Sequence, residues 1–101
     1  MYEFKELLGY IWATVMDAKD IIMEALENKT SRPDLAAAYY RVASNRLTDA
    51  DMLIKQAEAL LDKAEQGSDE DFDDMDLLWS ADHKRILSQI GNVKIHMDMY
   101  R

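Results

Sequence analysis

Carboxylates are the most concentrated chemistry in this chain. Asp69, Glu70, Asp71, Asp73, Asp74 and Asp76 place six acids in eight positions with no cation among them. The spacing Asp69-x-Asp71-x-Asp73 is how a calcium loop begins. Such a loop also needs Gly at its sixth position for a sharp turn and a bidentate Glu at its twelfth. Here those positions hold Asp74 and Ser80. The run therefore reads as acidic residues at the positive end of a helix, where they favour the macrodipole.

A second row, Glu3, Glu6, Asp17, Asp20, Glu24 and Glu27, recurs at the three-four spacing that could align metal ligands on a helix. At about 100° per residue, the direction of Asp17 and Asp20 lies roughly 160° from that of Val15 and Ala18, so the acids are expected on the solvent side. His83 differs, because it falls on an apolar seam. An imidazole there needs a hydrogen bond from a carboxylate, a carbonyl or a water, and it could also serve as a metal ligand. His96 lies off that seam. No glycine-rich phosphate loop, Gly-x-Ser-x-Gly or His-Glu-x-x-His is present.

The elements that must position these groups are long helices. Pro33 follows the polar run Asn28 to Arg32, and Gly67 precedes Ser68-Asp69-Glu70-Asp71. Pro is tolerated in a helix's first turn, where its missing N–H has no partner to lose. Gly67 suits a left-handed residue after a helix, with Ser68 capping the next one. These signals give helices at about 2–28, 32–66 and 69–100 in one domain spanning 1–101.

Each segment carries apolar residues three and four apart, and none alternates with a strand's period of two. The first seam is Phe4, Leu8, Ile11, Val15, Ala18, Ile22 and Ala25. The second is Ala36, Tyr40, Ala43, Leu47, Ala50, Ile54, Ala57, Leu61 and Ala64. Alanine recurs every seventh residue along it, so a neighbouring helix can come close. The third is Phe72, Asp76, Trp79, His83, Ile86, Ile90, Val93, Met97 and Tyr100. Short turns between such helices predict an all-α, up-down-up three-helix bundle. Apolar residues beside the seams, notably Trp12, Met16, Met23 and Tyr39, exceed what three helices need for one core, and self-association as a two-fold dimer is the expected use.

Composition narrows the function classes. The chain has 101 residues, 49% of them apolar, and a formal charge of −8. That balance argues against nucleic-acid partners, which need clustered Lys and Arg. The longest uncharged stretch, Leu7 to Met16, is ten residues, where a membrane span takes about 20. No basic-then-apolar leader opens the sequence, so neither secretion nor a membrane is expected. The absence of cysteine removes disulfides, thiolate zinc sites and thiol nucleophiles and suits a reducing cytoplasm.

The stretch Arg46-Leu-Thr-Asp49-Ala-Asp-Met-Leu53-Ile54, running on to Gly67, resembles the second helix of ferritin-like proteins of the bacterioferritin and rubrerythrin kind, where it reads Glu-x-x-His-Ala-x-x-Leu-Ile. Leu7-Leu8-Gly9 is similar to the Leu-Leu-Gly that lies two positions before that family's first metal-binding Glu. The likeness spans about two-thirds of the chain and implies a ferritin-like half-bundle of bacterial or phage origin, completed by dimerisation. Carried over position by position, the family's ligands fall on Ile11, Arg46, Asp49, Ser80 and His83. Most of the ligand chemistry is lost, and Arg46 puts a permanent cation where a metal would sit. The resemblance thus implies a reduced site at Asp49 and His83 at most, with Arg46 paired to Asp49 one turn away. Counting outward from the turns sets Ile11, Asp49 and His83 at similar depths in the bundle. The expectation drawn from the residues is a non-catalytic helical interaction protein without cofactor or metal, acting through self-association or a helical protein partner. A ferritin-like metal-binding protein is the alternative, and an acidic adaptor or nucleic-acid mimic built on residues 69–76 is a third, weaker reading.

Overall fold

The computed structural model describes residues 2–101 and contains three helices: α1 (Tyr2–Asn28), α2 (Pro33–Gln66) and α3 (Phe72–Tyr100). They run up, down and up in a rod of 55 × 18 × 17 Å. Among the described residues no helix is long and apolar enough to cross a membrane.

The alanine heptad sets how the helices pack. Ala43, Ala50 and Ala57 are fully buried, as are Ile11, Val15, Ala18, Ile22 and Ala25 on α1. With so little side chain between them the two backbones come close, and α1–α2 is the most extensive helix pair. The α2–α3 pair is the slightest. Leu47 lies at it, lining a groove with Lys94, Met97, Asp98 and Arg101 of the α3 side.

All seven residues of the expected α1 seam are buried, and so are eight of the nine on α2; Tyr40 is half-buried. On α3 the first turn departs from the expected phase. Met75 is buried, Phe72 is half-buried and Asp76 is exposed. Turning Met75 inward buries a thioether and leaves a carboxylate in water, avoiding the large desolvation cost of the alternative.

The first connection forms as expected, with Pro33 opening α2 and the Ala36 amide donating to the Arg32 carbonyl at 2.9 Å. The second is shifted by one residue. Gly67 has φ −85°, and the left-handed residue is Ser68 at φ 52°. The Asp69 amide donates to the Ala64 carbonyl (2.9 Å) and the Ser68 amide to Glu65 (3.2 Å), a Schellman closure with Ser68 just past the helix end. Ser68 therefore ends α2 and does not cap α3. Asp69 organises the next turn: its Oδ1 accepts the Asp71 amide at 2.8 Å, and α3 begins at Phe72.

At one end of the rod Phe4 meets Trp79 edge to face, with ring centroids 6.4 Å apart. At the other, Tyr40 stacks on Tyr100 at 4.8 Å and Arg101 Nε donates to the Tyr40 hydroxyl at 2.8 Å. That hydrogen bond is the main cause raising the Arg101 pKa above its already high ordinary value.

Candidate functional site

The five positions carried over from the ferritin-like pattern occupy different environments. Ile11 is fully buried. Arg46, Asp49 and Ser80 are exposed, and His83 is half-buried. The similar depths counted from the turns do not make one site, because rotation about each helix matters as much as distance along it. On α2 the inward residues are Leu47 and Ala50. Arg46 and Asp49 each precede one of them by one residue, hence by about 100°, and are carried to the flank.

Arg46 Nη1 lies 3.9 Å from Asp49 Oδ2, with both side chains about half exposed at 49% and 55%. A pair this wet and this long contributes little to stability. Asp49 also lines a shallow groove with Thr14, Met52, Leu53 and Gln56. His83 belongs to another neighbourhood: its ring stacks on Trp79 at 4.5 Å and 16°. The hydrogen bond expected for a seam imidazole is replaced by this ring contact, which half-burial permits because the nitrogens keep a path to solvent. His96 is the histidine with a polar partner. Its Nδ1 is 2.6 Å from the Asn92 carbonyl, and since a carbonyl only accepts, Nδ1 carries the hydrogen.

Among the described residues, no group of three or more His, Asp or Glu side chains could hold a metal ion. The run 69–76 spreads its carboxylates over the second turn and the start of α3, with Asp69 committed to the Asp71 amide. A concavity of about 370 Å³ lies beside this turn, lined by Glu3, Phe4, Leu60, Lys63, Asp69 and Met75 among others. Buried positions among the described residues are all apolar. No carboxylate or imidazole is therefore set in the dry interior that retunes an acid or base for catalysis.

The expected association residues are also dispersed. Trp12 and Tyr39 pack against the core. Trp12 is further covered by Arg85, whose guanidinium carbon lies 4.4 Å from the ring centroid while its Nη2 reaches Asp82 Oδ1 at 3.2 Å. Met16 is half-buried, and Met23 alone of the four is exposed, at 41%. Larger apolar exposure lies elsewhere, at Tyr2 (76%) and Tyr10 (61%) on α1, at Met52 (58%) on α2 and along α3. Leu77 (71%), Ile95 (58%) and Met99 (62%) all stand on α3. Their signal was in the sequence as a second three-four pattern, offset from the core seam by half a helix turn.

No protein-family model matches this chain, and searches of curated proteins and of solved structures give no match.

Proposed function

We propose that this protein is a non-catalytic helical interaction module that acts by associating with a second copy of itself. One observation carries the reading. The three helices close an apolar core from their own seams, and yet Leu77, Ile95 and Met99 remain in water on α3. Burying a large apolar side chain is worth about 1.5–3 kcal/mol relative to leaving it exposed, so a protein surface covering these groups gains directly. The dispersal of Arg46, Asp49, Ser80 and His83 supports the non-catalytic part, as does the guanidinium beside Asp49, which repels a cation. We place the protein in a reducing cytoplasm, in keeping with its cysteine-free sequence. The ferritin-like resemblance enters as a proposal about origin: a half-bundle that has lost its ligands and kept its habit of pairing.

The test is the mass of the untagged protein in solution across micromolar to millimolar concentration, with elemental analysis of the same sample. The reading requires a mass that rises toward twice the 11.7 kDa chain and no stoichiometric metal. A constant monomer mass refutes the self-association. Stoichiometric iron, manganese or zinc lost in both Asp49→Ala and His83→Ala would replace it with the metal-binding reading.

A further inference from the structure

The outer face of α3 is built to meet itself. Leu77, Ala81, Ser88, Gly91, Ile95 and Met99 succeed one another at intervals of three, four or seven residues. At 100° per residue they stay within an arc of about 80°, centred roughly 180° from the buried Ile86, Ile90, Val93 and Met97. The arc has large residues at its ends and small ones in its middle. Leu77 and Met99 lie eleven residues either side of Ser88, and Ala81 and Ile95 lie seven either side. Turned end for end about Ser88, the face therefore sets Leu77 against Met99 and Ala81 against Ile95. Asp73 and Lys84 also fall on the arc, Asp73 at its outer end in water and Lys84 with a stem that can lie along apolar surface while its ammonium stays in water.

Two further features select the occupant and its direction. Within α3, residues 72–82 hold Asp73, Asp74, Asp76 and Asp82 and no Lys or Arg, whereas residues 83–100 hold Lys84, Arg85 and Lys94 against Asp98 alone, with Arg101 following at the helix end. Parallel pairing would put acid on acid, while antiparallel pairing about Ser88 brings Asp82 level with Lys94 and sets Arg101 level with Met75, between Asp74 and Asp76, and opposes the two macrodipoles. Gly91 supplies the second feature. It sits inside a long helix, where glycine is costly, and a Cβ built there meets nothing within 4 Å, so nothing inside the chain demands its small size. A helix crossing close to the backbone would.

From this self-complementarity of shape and charge we infer that two copies of the chain pair through the outer faces of α3, antiparallel, with the two-fold axis at Ser88. The inference rests on the self-association reading and gives it a surface. One helix face about 33 Å long lies at the small end of specific interfaces, so the dimer is weak and reversible.

The chain has no cysteine, so single cysteines report the geometry cleanly. Under mild oxidation Ser88→Cys forms a disulfide-linked dimer. Leu77→Cys does not, because antiparallel pairing holds its two copies about 33 Å apart, yet a mixture of Leu77→Cys and Met99→Cys links as a heterodimer. By sedimentation velocity, Gly91→Leu weakens the dimer at least about tenfold while keeping the monomer's helical circular dichroism, and Ile95→Lys does the same. Raising salt from about 0.05 to 0.5 M weakens the wild-type dimer, since its charge pairing is screened. Efficient cross-linking of Leu77→Cys with itself overturns the antiparallel arrangement. A dimer indifferent to Gly91→Leu and Ile95→Lys overturns the surface and leaves self-association standing, whereas a wild-type monomer at every concentration overturns both.

Discussion

The Arg85 guanidinium is laid across the Trp12 indole, 4.4 Å from its ring centroid, and thereby ties the middle of α3 to α1. Asp82, one turn earlier, steadies it at 3.2 Å. Arg85 is itself 58% exposed, and a cation over an aromatic ring at such a site is worth about 0.5–1 kcal/mol. Arg85→Gln is expected to lower unfolding stability by about that amount, with Arg85→Lys recovering part of it. Paired urea titrations following tryptophan fluorescence measure this. Equal midpoints for wild type and Arg85→Gln would show that the stacking contributes nothing.

The alanine seam gives a sharper contrast. Ala50 is fully buried where α1 and α2 approach, and Ala50→Leu should destabilise by about 1–3 kcal/mol through overpacking. Ala38 is an exposed alanine of the same helix, and Ala38→Leu should stay within about 0.5 kcal/mol of wild type. Thermal denaturation of the two variants side by side decides it. Similar midpoints would mean that α1 and α2 are not in close contact at Ala50.

The turn between α2 and α3 holds a correctable strain. Ser68 occupies φ 52°, a conformation that costs an L-residue roughly 1–2 kcal/mol and glycine nothing. Part of the gain from Ser68→Gly is lost to the freer unfolded chain, leaving an expected stabilisation of about 0.5–1 kcal/mol. A lower denaturation midpoint for Ser68→Gly would contradict the left-handed assignment.

Legibility from sequence divided along physical lines. The seams of α1 and α2 could be read because apolar burial repeats at the helix period, and Pro33 marked a helix start because its ring permits little else there. The phase of α3 at Phe72–Asp76 was less legible: Phe72 and Met75 lie three apart beside Asp76, and the structure buries Met75 near Phe4 and leaves the Asp76 carboxylate in water. Gly67 drew the left-handed assignment on residue preference, whereas the hydrogen bonds from Ser68 and Asp69 back to α2 fix it one residue later. The rotation of the positions taken from the family pattern was not legible for a related reason. Spacing along a helix gives depth in the bundle, and Arg46 and Asp49 lie at the expected depth but are rotated out to the flank.

The Tyr40–Tyr100 stack should hold the end of α3 to the start of α2. Tyr100→Ala is expected to lose about 0.5–1.5 kcal/mol beyond the area unburied, and to speed amide exchange in the last turns of α3 well before the rest of the helix. Exchange rates there equal to those of wild type would show that the ring pair does not anchor the helix end.

The central claim is that the outer face of α3 pairs two chains, and sedimentation of wild type beside Gly91→Leu tests it most directly. A wild-type mass rising with concentration toward twice that of the chain, against a Gly91→Leu variant that stays folded and whose mass rises only at concentrations at least about tenfold higher, is the expected result. Identical concentration dependence in the two proteins, or a wild type that remains monomeric to millimolar concentration, would contradict it.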